Sequence, residues 1–176
     1  MTMPLIHTFD SQNYDPAWPR ISREAVRAVI VKNDQIALVK SATEGWFKFP
    51  GGGVDPGESH LDALLRETTE ETGLRIAPAS VRGMGFVHEL RKSVYCDEIF
   101  EQHSYYYFAD TEDAIVKQRL DDYEKEFGYE LAWTGIATAY QTNTALWQHY
   151  QKQHINLRDI AVLRREAFVL KTILET

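Results

Sequence analysis

Residues 51–74 decide the fold, and they read GGGVDPGESHLDALLRETTEETGL. Three glycines open the stretch, Asp55-Pro56-Gly57 follows as a turn signal, and the remainder is rich in acidic residues. Ser59 stands at a position suited to a helix N-cap, and Gly73 at one suited to a left-handed C-terminal cap. The stretch therefore predicts a glycine-rich loop followed by a helix that ends at Thr72.

The predicted helix carries three crowded carboxylates. Glu67, Glu70 and Glu71 fall within about one and a half turns, and Arg66 lies beside them. Like charges three or four residues apart repel one another, and the C-terminal end of a helix disfavours anions. A solvated acidic face is the commoner explanation of such a run. The crowding nevertheless favours a bound divalent cation, because Mg²⁺ prefers oxygen ligands and the loop could add a carbonyl, first of all that of Gly52.

Outside this stretch, the chain predicts strands and helices in mixed order. Residues 1–22 are polar and are interpreted as an N-terminal arm. A β-branched run at 25–31 is predicted to form a hairpin with 36–39. Residues 110–128 stay open between a loop and a short helix. The other predicted strands lie at 46–49, 81–94, 99–109 and 131–134, and the other predicted helices at 138–151 and 156–175.

Length, composition and net charge limit the classes of protein to which the chain could belong. With 176 residues, 44% of them hydrophobic, the chain is expected to form a single domain over residues 1–176. Its apolar runs are shorter than the roughly 20 residues of a membrane-spanning helix, and the N-terminus does not resemble a secretory signal. One cysteine, Cys96, offers no internal disulfide, so a cytoplasmic location is expected. The net charge of −7 argues against a general nucleic-acid binder.

The spacing of the charged residues resembles the Nudix box, here at residues 52–74. Its fixed positions are occupied, in order and at the family's spacing, by Gly52, Glu58, Arg66, Glu67, Glu70, Glu71, Gly73 and Leu74. Thr68 departs from the pattern, because the family usually has Ile, Leu or Val there. We expect the Thr68 hydroxyl to bond a backbone carbonyl one turn back, with a small loss of packing and no loss of activity.

The resemblance implies a MutT-like hydrolase with an α/β/α sandwich, in which a mixed β-sheet lies between helices. It implies bound Mg²⁺, with Mn²⁺ as an alternative. The implied metal ligands are Glu67, Glu70, Glu71 and the carbonyl of Gly52. Glu67 could instead be the base that activates water. Arg66 would orient Glu67 and Glu71 by ion pairing, and Glu58 would support Arg66 or the loop.

Further candidates lie outside the box. The family often recruits another acid, and Glu130 is preferred here over Glu126, Glu101 and Glu98. The cations that could contact phosphate are Arg27, Lys40, Lys48 and Arg91. The aromatic residues that could stack on a nucleobase are Trp46, Phe47, Tyr105 and Tyr107. For these cations and aromatic residues an ordinary surface or core position is the favoured explanation, and for His88 and His103 it is a satisfied or solvated histidine.

The expected reaction is attack of water on phosphorus, which splits a diphosphate bond. The substrate would be a small nucleotide-type compound: either a nucleoside diphosphate linked to another moiety, giving two phosphorylated products, or a nucleoside triphosphate, giving a monophosphate and pyrophosphate. A non-catalytic nucleotide-sensing or regulatory module on the same scaffold is the alternative. An isomerase of prenyl diphosphates is disfavoured, because it would need a further cysteine. Neither a nucleic acid nor a membrane is an expected partner, and a homodimer stays open.

Overall fold

A computed structural model describes residues 3–153 and 157–176 of the chain. Its strands are β1 (Leu5–Asp10), β2 (Arg20–Val29), β3 (Val31–Lys32), β4 (Gln35–Ser41), β5 (Phe47–Lys48), β6 (Leu74–Ile76), β7 (Arg82–Lys92), β8 (Ile99–Phe108), β9 (Thr111–Ile115) and β10 (Tyr129–Thr134). Its helices are α1 (His60–Thr72), α2 (Asp122–Glu126), α3 (Ile136–Gln153) and α4 (Leu157–Leu174). Within the described ranges, no helix is both long and apolar enough to cross a membrane.

The strands form mixed sheets. The largest sheet has the order β1-β7-β8-β2: β7 and β8 are antiparallel, whereas β1 runs parallel to β7 and β2 parallel to β8. A second sheet has the order β10-β4-β3, with β5 also paired to β4. A third pairs β6 with β9. The described strands are thus divided among three hydrogen-bonded sheets, where the sequence suggested one.

Helices cover the largest sheet from both sides. Because successive strand residues point to opposite faces, Val26 packs in a cluster with Leu64 of α1, and Val29 in a different cluster. That other cluster contains Ala139 of α3 and Leu170 of α4. The predicted α/β/α sandwich with a mixed sheet between helices is therefore confirmed.

The N-terminal segment differs from the prediction of a simple arm. Residues 5–10 form β1, which is an edge strand of the largest sheet, and β2 already begins at Arg20. Ring contacts anchor β1, since Phe9 and Phe168 of α4 have their centroids 5.5 Å apart. The arm prediction was wrong here, because the pairing partner of β1 lies about 80 residues further along the chain and leaves no local pattern.

Two other sequence predictions also change. The hairpin at the predicted turn joins β3 to β4, while β2 leaves it to pair with β8. The open segment 110–128 contains both β9 and α2. The C-terminal helix is present as α4, and its predicted start at residue 156 lies outside the described residues.

Helix α1 forms as its end signals predict. The Ser59 hydroxyl accepts the Asp62 backbone N–H at 3.1 Å, and Gly73 closes the helix with φ of 75°. A side chain at Gly73 would be strained there, which explains the choice of glycine.

Thr68 does not make the hydrogen bond that the sequence suggested. It is fully buried, and its hydroxyl has no hydrogen-bond partner among the described residues. Thr72 instead donates to the Thr68 carbonyl at 2.6 Å. Thr68 therefore fills an apolar position with an unsatisfied polar group.

Candidate active site

A pocket of about 260 Å³ lies on the face of the largest sheet where α4 packs. Side-chain alternation along β2, β7 and β8 directs every second residue into it. The sheet residues that line the pocket are Arg23, Arg27, Glu89, Arg91, Phe100 and Gln102. The glycine loop and α1 form another wall. The rest of the lining comes from the residues around α2, from α4, and from Trp46, Lys48 and Tyr129.

Two of the predicted carboxylates reach this pocket. Glu67 and Glu71 line it, and the Glu71 side chain is only 2% exposed. Lys48 donates to one Glu71 oxygen at 2.6 Å, and the Gly51 backbone N–H donates to the other at 2.9 Å. These bonds fix the direction of the Glu71 carboxylate and offset the cost of burying it.

The loop backbone passes directly against Glu67. A Cβ atom at Gly52 would overlap the Glu67 carboxylate, so a larger residue there would displace the Glu67 side chain from its present position. The Gly52 carbonyl accepts the Val26 N–H at 2.9 Å, and the Gly51 carbonyl accepts the Arg27 guanidinium. The Gly52 backbone therefore lies close to Glu67, and ligation of a metal by the Gly52 carbonyl stays a prediction.

Arg66 connects the helix to the loop. It donates to both Glu58 oxygens at 2.8 Å and to Glu67 at 2.7 Å. Its contact with Glu70 is longer, at 3.4 Å. The Arg66 guanidinium lowers the pKa of Glu58 to about 2, and Glu58 in turn raises the pKa of Arg66. Arg66 therefore orients Glu67, whereas its predicted pairing with Glu71 is replaced by Lys48.

Glu70 lies apart from the other two carboxylates. Its side chain is 38% exposed and lines a neighbouring groove together with Glu58 and Arg66, rather than the pocket. Ligation of a metal by Glu70 therefore stays a prediction.

Burial shifts the pKa values of two carboxyl groups in the pocket. Burial raises the pKa of Glu67, and the charge of Glu71 adds to the effect while Arg66 opposes it. Burial likewise raises the pKa of Glu124 to about 7, with a further contribution from its contact with Glu71. Three carboxyl groups therefore lie close together, and Lys48, Arg66 and Arg27 are the cations that act on them. The donor set therefore fits a divalent cation with oxygen ligands.

The acids from outside the box that line the pocket are ones that the sequence interpretation did not name: Glu89, Asp121 and Glu124. Glu124 of α2 lines the pocket together with Asp121, whereas Glu130 is exposed on β10, where it pairs with Lys40 of β4. The other candidates, Glu126, Glu101 and Glu98, are also absent from the pocket lining. A five-residue helix leaves no periodic pattern to detect. The local sequence signal of this helix is the three-residue spacing of Asp121 and Glu124, whose side chains each accept the other's backbone N–H as in a capping box.

The remaining candidates divide into residues that line the pocket and residues that do not. Arg27, Lys48, Arg91 and Trp46 line the pocket, but Lys40 and Phe47 do not. Tyr105, Tyr107, His88 and His103 lie on strand positions that face away from it. The sequence interpretation also missed Arg23 and Arg165, which both line the pocket.

Comparisons with known proteins agree with this geometry. A profile of the NUDIX domain matches residues 22–153, which is most of the chain. A nucleoside triphosphatase NudI of Enterobacter sp. (strain 638) is 31% identical over 116 residues, covering 63% of this chain and 80% of that protein. The chain therefore belongs to the Nudix family. It is a Nudix-type pyrophosphohydrolase, an enzyme that cleaves diphosphate bonds.

Other relatives match shorter parts. An asymmetrical bis(5'-nucleosyl)-tetraphosphatase of Mus musculus is 34% identical over 92 residues, covering 52% of this chain and 57% of that protein. A MutT protein structure from Bacillus halodurans superposes with a TM-score of 0.54 at 23% identity, covering 68% of this chain and 72% of the other. A NUDIX hydrolase from Nitrosomonas europaea gives 0.54 at 22% identity, covering 76% and 89%. These structures support the fold alone.

Proposed function

We propose that the protein hydrolyses nucleoside triphosphates, or nucleoside diphosphates linked to another moiety, with Mg²⁺ or Mn²⁺ as its cofactor. The observation that carries the proposal is the convergence of Glu67, Glu71 and Glu124 on a pocket that is also lined by cations. Clustered carboxylates suit a metal ion, and the arginines suit the phosphate oxygens of a substrate.

The metal would be held by Glu67, Glu70, Glu71 and the Gly52 carbonyl. When bound, such an ion neutralises phosphate charge and lowers the pKa of coordinated water. Lys48 and the Gly51 N–H hold the Glu71 carboxylate in one orientation, and Arg66 does the same for Glu67. Pre-oriented ligands of this kind lose little entropy when the substrate binds.

The reaction needs a group that takes a proton from water. The water oxygen bonds to phosphorus, the anhydride P–O bond breaks, and the proton passes to a carboxylate. Glu67 is one candidate for this carboxylate. Glu124 is the other, because it lies against Glu71 inside the pocket while belonging to a separate element.

The substrate class follows from the charge of the pocket. Arg23, Arg27 and Arg91 bring positive charge from the sheet into the pocket, and Arg27 donates to the Gly51 carbonyl of the glycine loop. A chain of phosphates could span from these arginines to the carboxylate-held ion. The nucleoside triphosphatase among the relatives makes triphosphates the first compounds to test.

The direct test is a panel of nucleoside triphosphates and nucleoside diphosphate conjugates, with Mg²⁺ or Mn²⁺ present and products separated by chromatography. Triphosphates should yield a monophosphate and pyrophosphate, and EDTA should abolish the reaction. Glu70→Gln and Glu71→Gln should each lower kcat by at least about 100-fold with the circular dichroism spectrum retained. Glu130→Gln, which alters an exposed acid outside the pocket, is the matched control. If nucleotides bind tightly but none is cleaved, the protein is a nucleotide-sensing module instead.

A second pair of variants tests the role of Glu124. Glu124→Gln should reduce kcat by about 10²–10³-fold, within the usual contribution of a positioned proton acceptor. Glu126→Gln removes an exposed acid from the same short helix and should leave kcat unchanged. Equal rates for the two variants would assign the proton transfer to Glu67.

The remaining expectations are part of the same proposal. A small-molecule substrate, rather than a nucleic acid, fits a narrow pocket and a net charge of −7. We further propose a cytoplasmic location and a single domain over residues 1–176. The oligomeric state follows from light scattering, with a homodimer as the alternative to a monomer.

A further inference from the structure

The face of the largest sheet turned away from the pocket carries a group of metal-binding side chains. His88 of β7 and His103 of β8 are directly opposite each other in the antiparallel pair. Glu101 lies two residues before His103 on the same strand, and therefore on the same face. Gln102 between them points into the pocket instead. Strand alternation thus places these three residues on the side opposite the proposed active site.

The three side chains are already close together. The two imidazole rings stack with centroids 4.6 Å apart and an angle of 8° between planes. The Nε2 atom of His88 lies 2.8 Å from a Glu101 oxygen. One ligand atom from each of His88, Glu101 and His103 lies within 4.8 Å of the other two, and all three residues are half-buried.

We propose that His88, Glu101 and His103 form a binding site for a divalent transition-metal ion, separate from the magnesium site at α1. Two imidazoles and one carboxylate suit Zn²⁺, whereas Mg²⁺ prefers oxygen ligands alone. With bond lengths of about 2.0–2.2 Å, ligand atoms around such an ion are roughly 3–3.5 Å apart. Small side-chain rotations would therefore close the site.

The neighbouring charges permit this site. Arg20 lies 3.3 Å from the same Glu101 oxygen, but its side chain is 54% exposed and can move away at little cost. Glu24, the residue opposite His103 on β2, is engaged by His60 and Tyr105. Three protein ligands leave a further position for water. The bound ion would join β7 to β8 on the face of the sheet turned away from the pocket.

The alternative is that His88 and His103 only stack on each other, with one ion pair to Glu101 and no metal. A measurement of metal binding distinguishes this alternative from the proposed site. Zn²⁺ is titrated into the intact protein by calorimetry in a large excess of Mg²⁺, which occupies the site at α1. The wild type should bind one equivalent. His88→Gln and His103→Gln should each weaken binding at least 10-fold, as the loss of one of three ligands would. His149→Gln, on α3, and Glu70→Gln, on α1, should bind as the wild type does.

Two further readouts do not depend on activity. Zn²⁺ should raise the unfolding temperature of the wild type and of His149→Gln, but not that of the two ligand variants. In the wild type, the imidazole nitrogen resonances of His88 and His103 should shift on addition of Zn²⁺, and this measurement stays decisive if a variant fails to fold. Wild-type affinity in both ligand variants, no bound Zn²⁺ in excess Mg²⁺, or unshifted resonances would each overturn the site.

Discussion

Thr68 is the residue at which this chain departs from the pattern of its family. Its side chain is fully buried beside apolar neighbours of α1, and its hydroxyl is unsatisfied among the described residues. A buried polar group without a partner costs about 1–3 kcal/mol. Thr68 takes no part in the carboxylate cluster. This cost in the free energy of folding therefore leaves the charged residues of the pattern unaffected.

Thr68→Val should stabilise the protein by about 1 kcal/mol, because valine has nearly the same shape and carries no hydroxyl to desolvate. Equilibrium unfolding in urea measures the difference in free energy. Thr69→Val is the matched control. The Thr69 hydroxyl donates to the Leu74 carbonyl at 3.1 Å, so this change should destabilise. A less stable Thr68→Val protein would show that the hydroxyl has a partner after all.

Glu58 should make stability depend on pH. Arg66 lowers its pKa to about 2 from about 4.5, so the ion pair contributes fully above pH 4.5, and this contribution is lost as the pH falls towards 2. Glu58→Gln should cost about 1–2 kcal/mol at pH 7, less than the full shift implies, because solvent screens a partly exposed pair.

Urea unfolding of the wild type and Glu58→Gln at pH 7, 4 and 3 measures this dependence. The difference between the two proteins should shrink as the pH is lowered. Glu126→Gln, which removes an exposed carboxylate, should change the free energy of unfolding little at pH 7. A difference that is constant across the pH range would exclude Glu58 as its source.

Helix α4 shows how an element outside the family match supports the site. Residues 157–174 follow the matched range, which ends at 153. Arg165 of α4 is buried and donates to Glu89 of β7 and to Glu166, both at 2.7 Å. Glu166 accepts the Phe49 N–H at 2.8 Å, next to the glycine loop. Helix α4 therefore holds Glu89, which lines the pocket, and Phe49, which precedes the glycine loop.

Arg165→Met should destabilise the protein by about 3–5 kcal/mol, because it leaves the buried carboxylates of Glu89 and Glu166 without their cation. Thermal and urea unfolding measure the loss. Lys171→Met removes the exposed cation of an ion pair on the same helix and should cost less than about 1 kcal/mol. Similar small costs for both variants would contradict a structural role for the buried pair.

At the scale of the whole molecule, the first strand and the last helix pack against each other at one edge of the largest sheet. Strand β1 pairs with β7, and its residues His7 and Phe9 contact Phe168 of α4 at ring distances of 4.5 and 5.5 Å. Both β1 and α4 lie outside the residues that match the NUDIX domain profile. These terminal elements close one edge of the sandwich together.

Removing residues 1–10 should therefore destabilise the domain by about 2–4 kcal/mol, as expected for the loss of a packed aromatic residue. The unfolding temperature should fall by about 5–15 °C. Removing Glu175 and Thr176, which are exposed beyond α4, is the control and should leave the temperature unchanged. An unchanged unfolding temperature after removal of residues 1–10 would mean that β1 adds nothing to the folded state.

The sequence predicted features that depend on neighbouring residues and missed those that depend on contacts between distant segments. Helix α1 and its caps were predictable, because Ser59 and Gly73 act within one turn of the helix they end. The positions of Glu67 and Glu71 on that helix were predictable from its period. The alignment of β1 with β7 and the approach of Glu124 to Glu71 were not, because contacts between distant segments leave no local periodicity.

The sequence by itself determined the spacing of Gly52, Glu67 and Glu71, and with it the family and the chemistry. A helix repeats every 3.6 residues wherever it lies, so that spacing fixes which side chains share a face. Only the tertiary structure decided which cations and which further acid meet that face. Lys48 of β5 and Glu124 of α2 contact Glu71, and Arg165 of α4 lines the same pocket. Their convergence depends on how the sheets and helices pack.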